Sequence, residues 1–507
     1  GSYRPTTTTN PTAVLIYCSV FFQAAYFRFA PPKKLQASMS TSKEFDKTYN
    51  TKKPKSFVDY KYHAGFGNSF VSEALKGACP SVNRCPQKCP YGLYAEQLNG
   101  TSFTAPRGAN SKLWMYRIMP AAKMSTSFKK SIESKDLEGN FLSGPTTPEL
   151  LRWKPVKIPE TKDAKVDFIQ GFNTVSGSGS AQIKTGLAIH IYAANCDMDK
   201  RMCYNCDGEM LIVPQQGVLN ICTELGWMCV APGEICVIPR GIGFRVCLPD
   251  GKSRGYVCEV FQGRFQLPPL GIIGANGCAV PEHFETPTAW YEDKDEKWEC
   301  IYKFMGETFT TEIDHSPFNV VGWMGNYVPY KYDLAKFNVL NTVSYAHMDP
   351  SIFCVLTAQT LDFGTAVCDF VIFPRRWSVQ EDTFRPPYYH KNTMSEFMGN
   401  VFGRYEAKSE DKSKDDDDKG AFLPGGASLH SCMIGHGPEP ECFEKESNKK
   451  LQPEIVADGS LSFMFESVFM LKPTKWAFKD SHRDTNYFKI YHPLKKHFNP
   501  NEINPWK

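Results

Sequence analysis

The sequence predicts a mainly β protein of the sandwich or barrel class, for three reasons. From Tyr60 onward, runs of apolar and β-branched residues recur at strand length. Turns rich in Gly, Pro and Asp separate these runs. Strong helical periodicity over a long window is rare, which favours packed sheets over an α/β fold.

The strand-like runs fall into two sets along the chain. The first set is Gly186–Ala194, Met210–Pro214, Ile235–Pro239, Arg245–Leu248 and Tyr256–Phe261. The second set is Ile352–Leu356, Phe370–Pro374 and Leu461–Trp476. The last run alternates partly between apolar and polar residues, so it is expected to form a core strand.

The length of the chain predicts more than one folded domain. With 507 residues it exceeds the size at which a single hydrophobic core usually divides. We place an N-terminal β domain at residues 59–335 and a C-terminal domain at residues 336–507. The turn-rich stretch Pro268–Gly277 leads towards the second domain. Residues 1–58 are expected to be a disordered or targeting-like extension.

The extension contains an apolar stretch, Ala13–Ala30, that is short and carries Arg28. It is therefore not expected to span a membrane. No Asp or Glu precedes Glu44, and acid-free, hydroxyl-rich segments are typical of signal or transit peptides. We favour a disordered extension and a cytoplasmic location, with a signal or transit role of residues 1–38 left open.

Composition argues against several classes of protein. The 58 basic and 54 acidic residues nearly balance and form no basic stripe, so no nucleic-acid partner is expected. Most of the 18 cysteines sit singly inside apolar runs, as core residues do in a reduced compartment. The cysteine clusters are Cys79, Cys85 and Cys89, and Cys203 with Cys206. Neither has the second half that a four-ligand zinc site needs, so zinc is not expected.

One motif in the first domain resembles the second motif of the cupin family, a small double-sheet barrel. The segment from Gly233 to Gly241 has the spacing G-x₅-P-x-G, with Pro239 in the expected place. Metal-binding cupins have a His three residues after the second glycine, where this chain has Phe244. The resemblance implies a cupin-like N-terminal barrel without metal, although the two glycines alone fit ordinary turns at least as well.

The stretch from Tyr389 to Glu444 is the richest in residues that carry chemistry. We interpret His390, Glu396 and His436 as ligands of one metal ion, because two neutral imidazoles and one carboxylate form the ligand set of non-haem Fe(II) that activates O₂. His390 and Glu396 are six positions apart, which is about 20 Å along a strand and about 9 Å along a helix. The chain must therefore turn between them, plausibly at Asn392–Ser395.

Other residues in and near this stretch leave alternatives open. His430 and His436 lie in a Gly- and Pro-rich segment that suits either an approach to a bound ion or exposure to water. His347 is a further candidate, as a base for a ring hydroxyl. The sequence pattern alone does not determine which of these histidines binds the metal and which acts as the base. The charged run Glu406–Gly420 is expected to be a solvated loop rather than a cation site.

Several long segments, in order, resemble the homogentisate 1,2-dioxygenase family. Together they cover roughly residues 60–498 and are too specific to be chance. They are Tyr62–Asn68, Cys89–Leu98, Phe103–Arg107, Leu151–Pro155, Gly322–Tyr332, Arg385–His390 and Met464–Ser467.

The resemblance implies an Fe(II)-dependent ring-cleaving dioxygenase. Such enzymes convert homogentisate and O₂ to maleylacetoacetate in tyrosine and phenylalanine catabolism. By this resemblance Fe²⁺ is held by His390, Glu396 and His436, and His347 is the acid/base for the ring hydroxyl. Substrate contacts are implied at Tyr405, His430 and His436. If residues 396–405 form one regular strand, Tyr405 has the opposite parity to Glu396 and reaches the site only through a bulge, for which Gly403 is the candidate.

The family fold adds expectations about architecture. It implies a large N-terminal β domain, a C-terminal cupin-like domain of the jelly-roll type that carries the iron site, and a homohexamer built as a dimer of trimers. Neither a nucleic acid nor a membrane is an expected partner.

Three features depart from the family pattern. Met324 stands where the family commonly has His, the charged loop at 409–419 is longer than usual, and the N-terminal extension is additional. These departures leave two alternatives open: the same iron scaffold acting on another hydroquinone such as gentisate, and a metal-free cupin-like binding protein.

Overall fold

The computed structural model describes residues 53–125, 127–269, 277–345, 349–362, 364–403, 405 and 422–502. His347, the charged loop and residues 1–52 of the predicted extension lie outside these residues. The fold described below belongs to the compact unit formed by residues 46–507.

The structure is mainly β, as the sequence predicts. In chain order the strands are β1 Tyr62–Ala64, β2 Phe70–Glu73, β3 Tyr94–Asn99, β4 Lys112–Arg117, β5 Lys129–Ser131, β6 Leu151–Trp153, β7 Phe172–Ser180, β8 Thr185–Ala194, β9 Arg201–Asn205, β10 Glu209–Gln216, β11 Leu219–Thr223, β12 Gly226–Val230, β13 Glu234–Ile238, β14 Gly243–Cys247, β15 Ser253–Val260, β16 Phe284–Pro287, β17 Trp298–Phe304, β18 Glu307–Ile313, β19 Val320–Gly325, β20 Tyr330–Asp333, β21 Cys354–Gln359, β22 Ala366–Phe373, β23 Arg376–Ser378, β24 Ser395–Phe402, β25 Ala427–His430, β26 Glu454–Val456, β27 Leu461–Ser467 and β28 Lys472–Pro473.

Helices are few and short among the described residues. The α-helix α1 spans Pro440–Ser447 and begins with proline, whose fixed φ suits the first turn of a helix. The 3₁₀ helices are Pro90–Gly92, Ala121–Lys123, Phe141–Ser143, Pro281–His283, Leu334–Lys336, Pro350–Phe353 and Tyr487–Tyr491. No helix in the described ranges is long and apolar enough to cross a membrane.

Most of the strands belong to four sheets. A nine-stranded sheet has the order β1-β16-β20-β13-β10-β15-β8-β7-β28, and a seven-stranded sheet the order β12-β11-β14-β9-β17-β18-β5. A six-stranded sheet has the order β21-β22-β27-β24-β25-β6, and a four-stranded sheet the order β2-β19-β4-β3. Strands β23 and β26 form a separate pair. All neighbours are antiparallel except β9 and β17.

The nine-stranded sheet is apolar on both faces, and this explains how the sheets pack. Along β10, Leu211 and Val213 belong to the core shared with the six-stranded sheet. Ile212 points the other way, into the core shared with the seven-stranded sheet. Because successive side chains of a strand alternate between faces, the nine-stranded sheet lies between two hydrophobic cores.

The two halves of the chain exchange edge strands. Strand β6, from the first half, pairs with β25 at the edge of the six-stranded sheet. Strand β28, from the second half, pairs with β7 at the edge of the nine-stranded sheet. The domain boundary at residue 335 stays a prediction, and these two strands lie across it.

The observed strands correspond to the predicted runs, with shifts at their ends. The run predicted at 461–476 ends as a strand at Ser467 and resumes briefly as β28. Ile352 lies in a 3₁₀ helix, so β21 starts at Cys354 rather than at Ile352. Gly233 and Gly241 have φ of 94° and 80°, in the left-handed region that glycine favours, as turn glycines do.

A buried charge network occupies the space between the nine- and seven-stranded sheets. The Lys303 ammonium lies 2.6 Å from Asp207 Oδ2 and 2.9 Å from Glu259 Oε1. Asn205 Nδ2 donates to Glu259 Oε1 at 2.7 Å, and His190 Nε2 lies 3.2 Å from Glu259 Oε2. Burial of these charges is tolerated because each carboxylate has a cation or a hydrogen-bond donor.

Every cysteine in the described ranges is a free thiol. Cys222, Cys229, Cys236 and Cys258 are fully buried core residues, as their sequence context predicts. Cys247 is only partly buried.

Candidate metal centre

Two histidines from separate segments are held side by side by main-chain hydrogen bonds. His390 N donates to His436 O at 2.9 Å, and His436 N donates to His390 O at 3.1 Å. This isolated antiparallel bridge places the two imidazole centroids 4.3 Å apart. The predicted convergence of these residues is therefore built into the backbone.

The turn that the sequence requires between His390 and Glu396 is present. The chain bends at Thr393 and Met394, and Asn392 Oδ1 accepts a hydrogen bond from Met394 N. Glu396 then points towards the two histidines from the second position of β24. Asn392 Nδ2 also donates to Glu396 Oε1 at 2.5 Å, so the turn residue holds the carboxylate as well.

The three side chains meet at distances that suit one metal ion. His390 Nε2 lies 3.2 Å from Glu396 Oε1, and His436 Nε2 lies 3.0 Å from Glu396 Oε2. One ligand atom from each residue lies within 4.8 Å of the others. Two ligand atoms about 2.1 Å from one metal and at right angles lie about 3 Å apart, which matches this spacing.

The second nitrogen of each imidazole identifies its tautomer. His390 Nδ1 lies 2.8 Å from the Tyr388 carbonyl oxygen, and His436 Nδ1 lies 2.9 Å from that of Ile434. A carbonyl only accepts, so each Nδ1 carries the proton and a neutral ring directs its Nε2 lone pair at the carboxylate. Such an arrangement requires either a proton or a metal cation between Nε2 and the carboxylate.

The charges at the cluster reinforce each other. Burial opposes ionisation of Glu396, but hydrogen bonds with His390, His430 and His436 hold its pKa well below its ordinary value. The hydrogen bond with Glu396 in turn raises the pKa of His390. An ionised carboxylate and two imidazoles form a site that a divalent cation neutralises.

Cross-strand pairing aligns further polar residues with Glu396 on one face of the six-stranded sheet. Asp369 on β22 lies opposite Glu466 on β27, and Glu466 lies opposite Glu396 on β24. Glu396 lies opposite His430 on β25. Burial, with the charges of Glu396 and Asp369, raises the pKa of Glu466 to about 7. On the other face of the sheet the partners are aromatic, including Phe397 and Phe465.

The structure also places two further residues that the sequence implied, His430 and Tyr405. His430 Nδ1 lies 3.7 Å from Glu396 Oε2, so His430 belongs to the cluster. Tyr405 is buried and packs on Phe373 and Phe422, beyond the end of β24 at Phe402. Strand β24 has a register shift between Asn400 and Phe402, close to the bulge that the sequence requires near Gly403. The substrate role of Tyr405 stays a prediction.

Two other expectations concern residues away from the cluster. Met324 lies on β19 in the four-stranded sheet, opposite Trp114, and no strand of that sheet contributes to the cluster. His347 lies outside the described residues, so its role as a base stays a prediction.

Sequence reasoning missed Asn392 and Glu466. Glu466 follows the alternating run of β27, where Phe463 and Phe465 are buried, so an acid beside core aromatics was the available signal. The same argument, the cost of burying a carboxylate, identified Glu396. Asn392 carries no such signal, because an asparagine before a bend is common in any loop.

Replacing Asn392 with Ala is expected to weaken binding of a divalent metal by about 10-fold or more, because one oxygen of Glu396 loses its fixed donor. Titration of the purified variant with Co(II) measures this. The matched control is Asn173→Ala, whose side-chain amide donates to Gly171 O and Ile191 O in the nine-stranded sheet. Equal affinities in the two variants would contradict a role for Asn392.

Comparison with protein families gives matches along nearly the whole described chain. Residues 61–334 match the model described as homogentisate 1,2-dioxygenase N-terminal. Residues 335–498 match the model described as homogentisate 1,2-dioxygenase C-terminal.

Comparison with individual proteins also gives homogentisate 1,2-dioxygenases. The chain is 50% identical over 455 residues to the homogentisate 1,2-dioxygenase of Homo sapiens, covering 88% of this chain and 99% of that protein. It is 51% identical over 444 residues to that of Drosophila melanogaster, covering 87% of this chain and 98% of that protein. Among solved structures, quercetin 2,3-dioxygenase from Acinetobacter baumannii is 8% identical with a TM-score of 0.25, covering 63% of this chain and 78% of that one.

Proposed function

Because the chain belongs to the homogentisate 1,2-dioxygenase family of oxidoreductases, we propose that it cleaves the ring of homogentisate with O₂ at the His390–Glu396–His436 cluster. The product we propose is maleylacetoacetate, within tyrosine and phenylalanine catabolism. The observation that carries the proposal is the convergence of two Nε2 atoms on one carboxylate.

We propose Fe(II) as the metal. Two neutral imidazoles and one carboxylate occupy only part of a six-coordinate sphere, so positions remain for substrate and O₂. When bound, Fe(II) supplies the redox chemistry that lets O₂ react with the aromatic ring. The chain's own part is to fix the ligands: the carbonyls of Tyr388 and Ile434 hold the Nδ1 protons, and Asn392 holds Glu396 Oε1.

His347 is proposed as the acid/base that holds the proton of a ring hydroxyl. Its near neighbour in the chain, Asp349, accepts a hydrogen bond of 2.7 Å from the Tyr388 hydroxyl. The Tyr388 ring lies 5.7 Å from the His390 ring. This contact holds the chain at Asp349 close to the metal cluster and supports the role of His347. His430 and His436 are proposed to contact the substrate bound at the metal. Tyr405 is proposed as a third substrate contact.

The assembly proposed from family membership is a homohexamer, a dimer of trimers, located in the cytoplasm. Sedimentation velocity tests the assembly, and a monomer at micromolar concentration would contradict it.

The decisive experiment is anaerobic reconstitution with Fe(II), followed by O₂ uptake with homogentisate while absorbance of the ring-opened product is recorded. We expect one O₂ consumed per product formed. Gentisate and catechol serve as competing substrates. Turnover of gentisate in preference to homogentisate would replace the substrate assignment. Absence of both bound iron and O₂ uptake would favour a metal-free binding protein.

A further inference from the structure

We propose that Tyr487 and Arg152 act through His430 as positioning residues that orient the metal-binding carboxylate of Glu396. The inference rests on the proposed metal site and extends it to residues that no comparison assigns. It depends on a continuous series of contacts from β6 to β24.

His430 is the first link, because its ring lies between the Tyr487 hydroxyl and the Glu396 carboxylate. Its Nε2 lies 3.0 Å from the Tyr487 hydroxyl, and its Nδ1 faces Glu396 Oε2 at 3.7 Å. Its side chain is 5% exposed, so neither contact is weakened by bulk water.

In the proposed arrangement the Tyr487 hydroxyl donates to His430 Nε2, and this donation sets which nitrogen of His430 carries the proton. A phenol that donates to Nε2 leaves the proton on Nδ1, where it points at the carboxylate. The opposite tautomer would direct a lone pair at Glu396 Oε2, and the two acceptors would repel. Tyr487 therefore selects the form of His430 that holds Glu396 in place.

Arg152 fixes Tyr487 in turn. The Arg152 guanidinium carbon lies 3.9 Å from the Tyr487 ring centroid, a cation–π contact, and Tyr487 is 1% exposed. Arg152 Nη2 lies 3.2 Å from Glu439 Oε1. Arg152 belongs to β6, opposite Ser428 on the strand that carries His430. The support is thus anchored in the same sheet as the ligand that it orients.

This arrangement makes a different prediction from direct substrate contact by His430. If His430 orients Glu396, loss of the Tyr487 hydroxyl changes metal affinity first. If His430 mainly contacts substrate, the same loss changes KM and leaves metal affinity alone.

The test compares wild type with Tyr487→Phe, which keeps the ring over Arg152 and removes only the hydroxyl. The control is Tyr192→Phe, which removes a buried hydroxyl bonded to Ser253 Oγ at 3.2 Å in the nine-stranded sheet. Co(II) affinity is measured by competition with a chelator, followed by kcat and KM of the iron-loaded enzyme. We expect Kd for Co(II) to rise about 10- to 100-fold in Tyr487→Phe only, with KM nearly unchanged at saturating Fe(II).

Each outcome decides the question. An unchanged Kd in Tyr487→Phe, with wild type binding one Co(II), overturns the positioning role and leaves the metal site intact. A raised KM with unchanged Kd also overturns it. Wild type that binds no Co(II) overturns the metal site and this inference together. A raised Kd in Tyr192→Phe as well would show a general effect of losing a buried hydroxyl, and would overturn the specific role.

Discussion

Replacing His436 with Ala is expected to remove stoichiometric metal and to lower turnover of homogentisate by about 10³-fold or more. Of the three proposed ligands the variant keeps one imidazole and one carboxylate, which is too few to hold a divalent ion against dissociation. A bound metal supplies several kcal/mol of transition-state stabilisation, and about 4 kcal/mol corresponds to 10³ in rate. Metal analysis after anaerobic Fe(II) loading gives the first readout, and O₂ uptake gives the second.

His390→Ala should behave in the same way, because its Nε2 makes the equivalent contact with the other oxygen of Glu396. The matched control is His497→Ala, which breaks an exposed contact of 2.9 Å between a histidine and Glu444. That variant should retain full metal content and turnover. Full iron and activity in both cluster variants would refute the ligand assignment.

Replacing Lys303 with Met is expected to reduce the free energy of unfolding by about 3–5 kcal/mol. The change removes the cation and leaves Asp207 and Glu259 buried, with side chains 3% and 1% exposed. Denaturant titration at fixed protein concentration measures the loss. The control is Lys130→Met, which breaks the exposed pair with Glu307 and should cost at most about 1 kcal/mol. Equal losses in the two variants would contradict the importance of the buried network.

The pH dependence of the free energy of unfolding should differ between wild type and Lys303→Met. Burial opposes ionisation of Glu259, but the Lys303 ammonium and the contact with His190 lower its pKa to about 2. Unfolded Glu has a pKa of about 4.3, so the contribution of Glu259 is complete above that pH and is lost as pH falls towards 2. Without Lys303, Glu259 loses the largest contribution that lowers its pKa and keeps the contact with His190, so its pKa rises. The free energy of unfolding of Lys303→Met, measured by denaturant titration across this pH range, should therefore fall less on acidification than that of wild type.

The sequence was sufficient for the fold class and for the convergence of the three ligand residues. The spacing of His390 and Glu396 excluded a straight strand and a regular helix, and the observed bend after Asn392 satisfies that requirement. The apolar runs Met210–Pro214 and Tyr256–Phe261 predicted β10 and β15, because a strand that is buried on both faces carries apolar residues at successive positions.

Residues whose roles depend on sheet register were beyond sequence reasoning. Glu466 acts beside Glu396 only because β27 pairs with β24 in that register, and a shift of one residue would place Phe465 there instead. Tyr487 and Arg152 meet across more than three hundred residues of chain, and no local pattern encodes that contact.

The exchange of edge strands has a consequence during synthesis on the ribosome. Strand β6 is made early, but its partner β25 follows only after roughly 270 more residues, which at about 5–20 residues per second takes about 14–54 s. Leu151 and Trp153 are 3% exposed in the folded protein and have no β25 to cover them during that interval. A nascent chain of this protein therefore presents an apolar edge to its surroundings until the C-terminal half emerges, and slower elongation should increase its need for chaperones.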